Sequence, residues 1–125
     1  MRRERQIIFH GHYFQNFYLK VNEQVKEKIG YVFRVVETVD RVPEKFLKHV
    51  EGTEGLYEIR IESDANIYRI FCCFDKGNLV VLFNAFQKKT QKTPRHEIEL
   101  AEKLKDEYFT LIGKQDEKER SNKKR

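Results

Sequence analysis

Two arginines, Arg60 and Arg69, stand in the middle of neighbouring apolar stretches that a short turn separates. Guanidinium forks match phosphate oxygens, and strands hold such groups more rigidly than loops do. Arg60 shares one side of its stretch with Glu58 and Glu62; Arg69 shares a side with Phe71 and Cys73. A register that sets both arginines on one side makes a two-cation platform. The alternative for Arg60 is an exposed side chain in a salt bridge with Glu58 or Glu62, and taken alone that is the simpler reading. For Arg69 both readings stand.

A second cluster follows in Phe86-Gln87-Lys88-Lys89-Thr90-Gln91-Lys92-Thr93-Pro94, where an apolar stretch runs into a lysine-rich loop and then a helix start. The free amides and dipole of a helix start favour an anion. Lys88, Lys89 and Lys92 surround that start, with Arg95 just beyond. A solvated connector is the alternative; clustering of one sign at a helix start favours anion binding. Tyr68, beside Arg69, is the candidate for stacking an unpaired base, although a core role also fits it. His10 and His12 have a spacing seen in metal sites, yet no third or fourth ligand is near in sequence, so no metal site is read. His96, in the first turn of the last helix, is a spectator or an acid–base group. Cys72 and Cys73 read as buried strand packing. There is no glycine-rich phosphate loop, no nucleophile motif and no carboxylate cluster for two-metal chemistry. An enzyme built from this chain must act through cations, with a tyrosine or histidine.

The elements that hold these residues follow from hydrophobic spacing. Arg5 to Phe9 fits a short strand. His12 to Val39 reads as helical, in two pieces around Leu19 to Asn22, because Val21, Val25, Ile29, Val32 or Phe33, and Val36 recur at three and four. Pro43 to Val50 reads as a short helix with proline in its first turn, ended by Gly52 and Gly55. From Leu56 the period becomes two. Strands at Tyr57 to Ile61, Tyr68 to Phe74 and Leu79 to Phe86, joined by Ser63-Asp64-Ala65-Asn66 and Asp75-Lys76-Gly77-Asn78, make an antiparallel meander. The third strand is apolar on both sides and needs cover on both faces. Thr93-Pro94 reads as a cap and first-turn proline. Ile98, Ala101, Leu104 or Lys105, and Tyr108 continue an amphipathic helix to about Ile112, with Gly113 as its stop.

The whole is an α+β fold: N-terminal helices packed on a twisted antiparallel sheet, a three-stranded meander plus an N-terminal strand, and then a C-terminal helix. Length supports one domain, residues 1–112, with a charged tail at 113–125. A chain of 125 residues, 39% apolar and 36% charged, can bury one small core and not two. No apolar run approaches the roughly 20 residues of a membrane helix. The short Ile7-Ile8-Phe9 run is no signal peptide, and adjacent cysteines do not bridge normally, so a reduced, cytoplasmic setting is expected. Lys and Arg number 25 against 20 Asp and Glu, for a net charge of +5 and a pI near 9.2. The excess is concentrated: Asn84 to His96 holds Lys88, Lys89, Lys92 and Arg95 and no acid, and the last twelve residues hold six bases against three acids. Such clustering fits a polyanion partner, most simply nucleic acid.

Leu56-Tyr57-Glu58-Ile59-Arg60, Tyr68-Arg69-Ile70-Phe71, the run Leu79 to Pro94, and Glu97, Ala101 and Tyr108 together resemble the phage-derived HigB-like branch of the RelE/ParE toxin superfamily. The most specific part is the strand ending in Phe86 and followed by Lys88-Lys89-Thr90-Gln91-Lys92-Thr93-Pro94. The resemblance covers Leu56 to Tyr108. It implies a toxin that cuts messenger RNA on the ribosome, needs no cofactor, and is held inactive by a helix-turn-helix, HigA-like antitoxin. By position it matches Arg60 and Arg69 to the strand arginines and Lys88, Lys89 and Lys92 to the basic loop. With the residues read above, the expected catalytic set is Arg60, Arg69 and Lys89, and Lys88, Lys92, Arg95 and Tyr68 are the expected RNA contacts. A gyrase-poisoning toxin of the ParE kind and a non-catalytic nucleic-acid-binding module are the alternatives.

Overall fold

The computed structural model describes residues 4–123, with side chains through Gln115. The chain runs β1 (Gln6–Phe9), α1 (Tyr13–Lys20), α2 (Glu23–Thr38), β2 (Leu47–His49), β3 (Tyr57–Ser63), β4 (Asn66–Asp75), β5 (Leu79–Lys88) and α3 (Arg95–Lys123). The expected α+β architecture is present, with two corrections to its sheet. The sheet has five strands in the order β1-β5-β4-β3-β2, and it is mixed: β1 lies parallel to β5, with Ile7 beside Val80 and Ile8 beside Val81. The parallel arrangement follows from the two helices that carry the chain from β1 across one face before the meander begins.

The second correction concerns Pro43 to Val50, which is not a helix. A single turn closes on the Pro43 carbonyl, which accepts from Phe46 N at 2.9 Å and Leu47 N at 3.1 Å. The chain then extends as edge strand β2, pairing Leu47 with Ile59 and Lys48 with Glu58. A helix this short is marginal without packing, whereas the free edge of β3 offers a row of hydrogen-bond partners. Phe46 and Leu47 pack against the core at the same time.

The helix break at Leu19 to Asn22 is where α1 ends and α2 begins. The Asn22 side chain caps α2, accepting from Val25 N at 2.9 Å. Val25, Ile29, Val32 and Val36 are buried on one stripe as their spacing requires, against Ile59, Ile61, Tyr68, Ile70, Cys72, Val80 and Leu82. The opposite face of the sheet receives α3. Ile98, Ala101, Leu104 and Tyr108 lie over Phe71, Cys73, Val81, Phe83 and Phe86. Strand β5 is therefore sandwiched, which accounts for its unbroken apolar run.

Helix α3 continues through Gly113 to Lys123, so the expected stop there does not occur. A glycine ends a helix when an apolar residue beyond it folds back, and the next residues, Lys114 and Gln115, are polar. The basic side chains of the tail from Lys118 onward lie outside the described residues.

Candidate nucleic-acid interface

The β3–β4 hairpin turns on Asp64 and Ala65, both with positive φ (50° and 60°), between the paired residues Ser63 and Asn66. That tight two-residue connection fixes the register. It sets Arg60 directly opposite Arg69 and Glu58 opposite Phe71. Side chains of opposed residues share a face, so both arginines project from the α3 side of the sheet.

Strand β5 adds a lysine through an irregularity. Ile70 pairs with Ala85 but Cys72 pairs with Leu82, so Phe83 and Asn84 together face the single residue Phe71. This bulge shifts the alternation by one. Upstream of it, Val81 and Phe83 face α3; downstream, Phe86 and Lys88 do, with Phe86 opposite Arg69 and Lys88 opposite Ile67. Asn84 in the bulge donates to the Glu97 carbonyl at 3.1 Å and to Glu97 Oε1 at 3.0 Å. These bonds hold the first turn of α3. Further along the helix, the Tyr108 hydroxyl donates to Asp75 Oδ2 at 2.6 Å, and His10 Nε2 lies 2.8 Å from Glu107 Oε1. Helix α3 is thereby fixed over one half of the face. The other half carries Lys48, Glu58, Arg60, Glu62, Arg69 and Lys88.

Ion pairs organise that half. Arg69 Nη1 lies 3.0 Å from Glu58 Oε1, and both side chains are nearly buried, 10% and 12% exposed. Arg60 pairs with Glu62 at the more open edge. The ammonium of Lys88 is pulled below the ordinary lysine range, first by loss of solvent and then by the charge of Arg69, with Arg60 and Lys48 adding to it and Glu58 opposing. Four cations, Lys48, Arg60, Arg69 and Lys88, thus share the half-face with two carboxylates, Glu58 and Glu62. Glu58 Oε2, Arg60 Nε and Arg69 Nε are all buried without a hydrogen-bond partner. Each such atom costs roughly 1–3 kcal/mol, and three in one cluster mark a site shaped for something besides its own stability.

Arg60, Arg69 and Lys88 are brought together. Lys89 is not with them: one residue beyond β5, it is exposed and lines a shallow depression with Ile67, Lys88, Thr90 and Gln91 beside the cluster. Lys92 is exposed in the loop that the bond from Thr90 Oγ1 to the Lys92 carbonyl, 2.8 Å, helps to shape. Arg95 points into solvent, 3.3 Å from Glu99. Tyr68 is on the wrong face for stacking RNA. It is buried under α1, its ring 5.9 Å from that of Phe17, because strand alternation sends Tyr68 and Arg69 to opposite sides. Thr93 and Pro94 precede α3, whose first turn already contains Glu97. His96 is exposed. Tyr108 is occupied with Asp75 at the far end of β4, and burial together with that bond raises its hydroxyl well above the usual range. Burial likewise raises Cys72 strongly and pushes Cys73 up to about 12, so both thiols are packing groups. Lys48 and Glu58 were not among the expected site residues. Their signal was an opposite-charge pair, hidden because Lys48 reads as part of a helix.

Among the described residues no group of three His, Cys, Asp or Glu could hold a metal, and no helix is long and apolar enough to cross a membrane. Fold and site together define a small α+β protein that presents clustered cations, suited to a phosphodiester, on half of one sheet face. The model of the phage-derived Gp49-like protein family (DUF891) matches residues 16–106, from within α1 to within α3, and the chain belongs to that family. The family is related to RelE-type toxins and is consistent with a toxin of a toxin–antitoxin system. No curated protein matches the chain.

Proposed function

We propose that the protein is a HigB-like toxin of a type II toxin–antitoxin pair that cleaves messenger RNA on the ribosome. One observation carries the reading: Arg60 and Arg69 stand directly opposite each other, with Lys88 beside them, on a face that α3 leaves half uncovered. A scissile phosphate between the two guanidiniums gains most as charge builds on its oxygens, because rigid strands have already placed the cations. The ribose 2′-oxygen attacks phosphorus and the bond to the 5′-oxygen breaks, leaving a 2′,3′-cyclic phosphate and a free 5′-hydroxyl. Lys88 donates the proton that the leaving 5′-oxygen takes up. Its lowered proton affinity suits that role better than an ordinary lysine's would. Side chains alone supply the proposed chemistry, and no cofactor enters it. Lys89, Lys92 and Arg95 lie outside this group and contribute by holding the RNA backbone. The expected partner is a helix-turn-helix, HigA-like antitoxin, and ribosome-bound substrate sets the working compartment as the cytoplasm.

Induced expression followed by primer extension on cellular transcripts tests the reading. Growth arrest with messages cut inside reading frames is expected for the parent, and Arg69→Ala, if folded, is expected to relieve both. Arrest with a DNA-damage response and intact messages would point to gyrase instead. Salt-sensitive RNA binding with no cleavage, ribosomes included, would leave only a binding module.

A further inference from the structure

The proposed cleavage also needs a group that removes the 2′-hydroxyl proton, and the same half-face contains one. Glu58 stands between the two arginines and the β2 edge. One carboxylate oxygen is engaged by Arg69 at 3.0 Å; the other, Oε2, has no partner. We infer that Glu58 is the proton acceptor of the proposed cleavage, its Oε2 taking the proton from the attacking 2′-hydroxyl. The assignment rests on the nuclease reading and deepens it.

Three features support it. The carboxylate is fixed: it sits on a central strand between β2 and β4, opposite Lys48 and Phe71, and Arg69 orients it through Oε1. Its free oxygen belongs to the same cluster as Arg60 Nε and Arg69 Nε, also unpartnered, so a phosphate on the arginines brings its neighbouring ribose toward Glu58. The other acid of this half-face fits less well. Glu62 is exposed and paired with Arg60 at the rim. The cross-strand neighbour of Glu58, Lys48, is exposed on the same half-face and adds a cation for the RNA backbone beside the carboxylate. In the step itself the 2′-oxygen bonds to phosphorus as its proton passes to Oε2. The 5′-oxygen departs with a proton from Lys88. Glu58 ends protonated and Lys88 neutral, and exchange with water restores both.

Cleavage of ribosome-bound message, measured against pH for the parent, Glu58→Gln and Glu58→Asp, decides the matter. Glutamine keeps the size and the acceptor for Arg69 but cannot take the proton. The Gln variant is expected to hold a 2′-deoxy-substituted oligoribonucleotide as tightly as the parent, to cleave about 100-fold more slowly or worse, and to lose the acid limb of the profile. The Asp variant is expected to recover part of the rate with a shifted acid limb. A Gln variant within a few-fold of the parent, or one slowed with the parent's acid limb intact, overturns the assignment while the nuclease reading stands. Should the Gln variant not fold, the Asp profile decides: a shifted limb supports the assignment and an unshifted one overturns it. A parent that leaves messages whole overturns the nuclease reading first, and this assignment with it.

Discussion

The α3 side of the sheet is two surfaces on one set of strands. Toward Asp75 and Leu79, the face is apolar: Phe71, Cys73, Val81 and Phe83 lie under the helix. Toward the β3–β4 turn, the same strands present Arg60, Arg69, Glu58 and Lys88, only partly covered, with Arg69 paired to Glu58 and Arg60 to Glu62. On the covered half the packing is continuous and apolar, with Asn84 Oδ1 in the bulge as its one buried polar side-chain atom without a partner among the described residues. On the other, buried nitrogens and an oxygen go without partners. Stability resides in the first region, and the second region departs from it at some cost. That contrast supports the proposed site more sharply than net charge does, since +5 over the whole chain distinguishes nothing.

The largest expected separation comes from pairing a change in each half. Phe83→Ala removes a fully buried ring and is expected to lower the unfolding free energy by about 3–5 kcal/mol, read by urea denaturation. Arg60→Ala with Lys88→Ala is expected to change that free energy by less than about 1 kcal/mol, while slowing RNA cleavage at least ~100-fold. Equal stability losses in the two variants would erase the distinction.

Lys88 sharpens the comparison through pH. Its proton affinity is lowered in the folded chain, so the unfolded chain binds that proton more tightly. Folding stability attributable to Lys88 is therefore lowest where the lysine is charged in both states. It rises as pH climbs from the lowered value toward the ordinary one of 10.5. Lys88→Met is accordingly expected to be more stable than the parent at neutral pH, with the gap closing toward that alkaline value in urea titrations across pH. A gap independent of pH would remove the electrostatic account of this lysine. The smallest effect is expected at the hairpin. Ala65 has φ of 60°, and Ala65→Gly is expected to stabilise by roughly 0.5–1 kcal/mol without altering cleavage.

Much of this arrangement is legible in the residues alone. The period-two stretches and the Asp64-Ala65 turn identify the hairpin, and once the hairpin is right, Arg60 and Arg69 must face each other. What the sequence hides is where alternation is interrupted. Counting by two from Val81 and Phe83 puts Lys89 among the arginines, whereas the bulge at Phe83 and Asn84 puts Lys88 there. A bulge depends on what Asn84 finds across the gap, here Glu97 of α3, and that is a tertiary fact. Strand β2 is hidden for the same reason: Pro43 to Val50 has helix-start chemistry, and only the free edge of β3 draws it into the sheet. Tyr68 adjoins Arg69 in sequence, yet strand alternation sends the two side chains to opposite faces of the sheet.

The most direct measurement is a map of backbone amide shifts as the protein is titrated with a short RNA carrying a 2′-deoxy residue at the cleavage position. Perturbations confined to β3, β4 and the end of β5, around Glu58, Arg60, Arg69 and Lys88, are the expected result. Perturbations centred on α1 and α2, with the arginine hairpin silent, would contradict it.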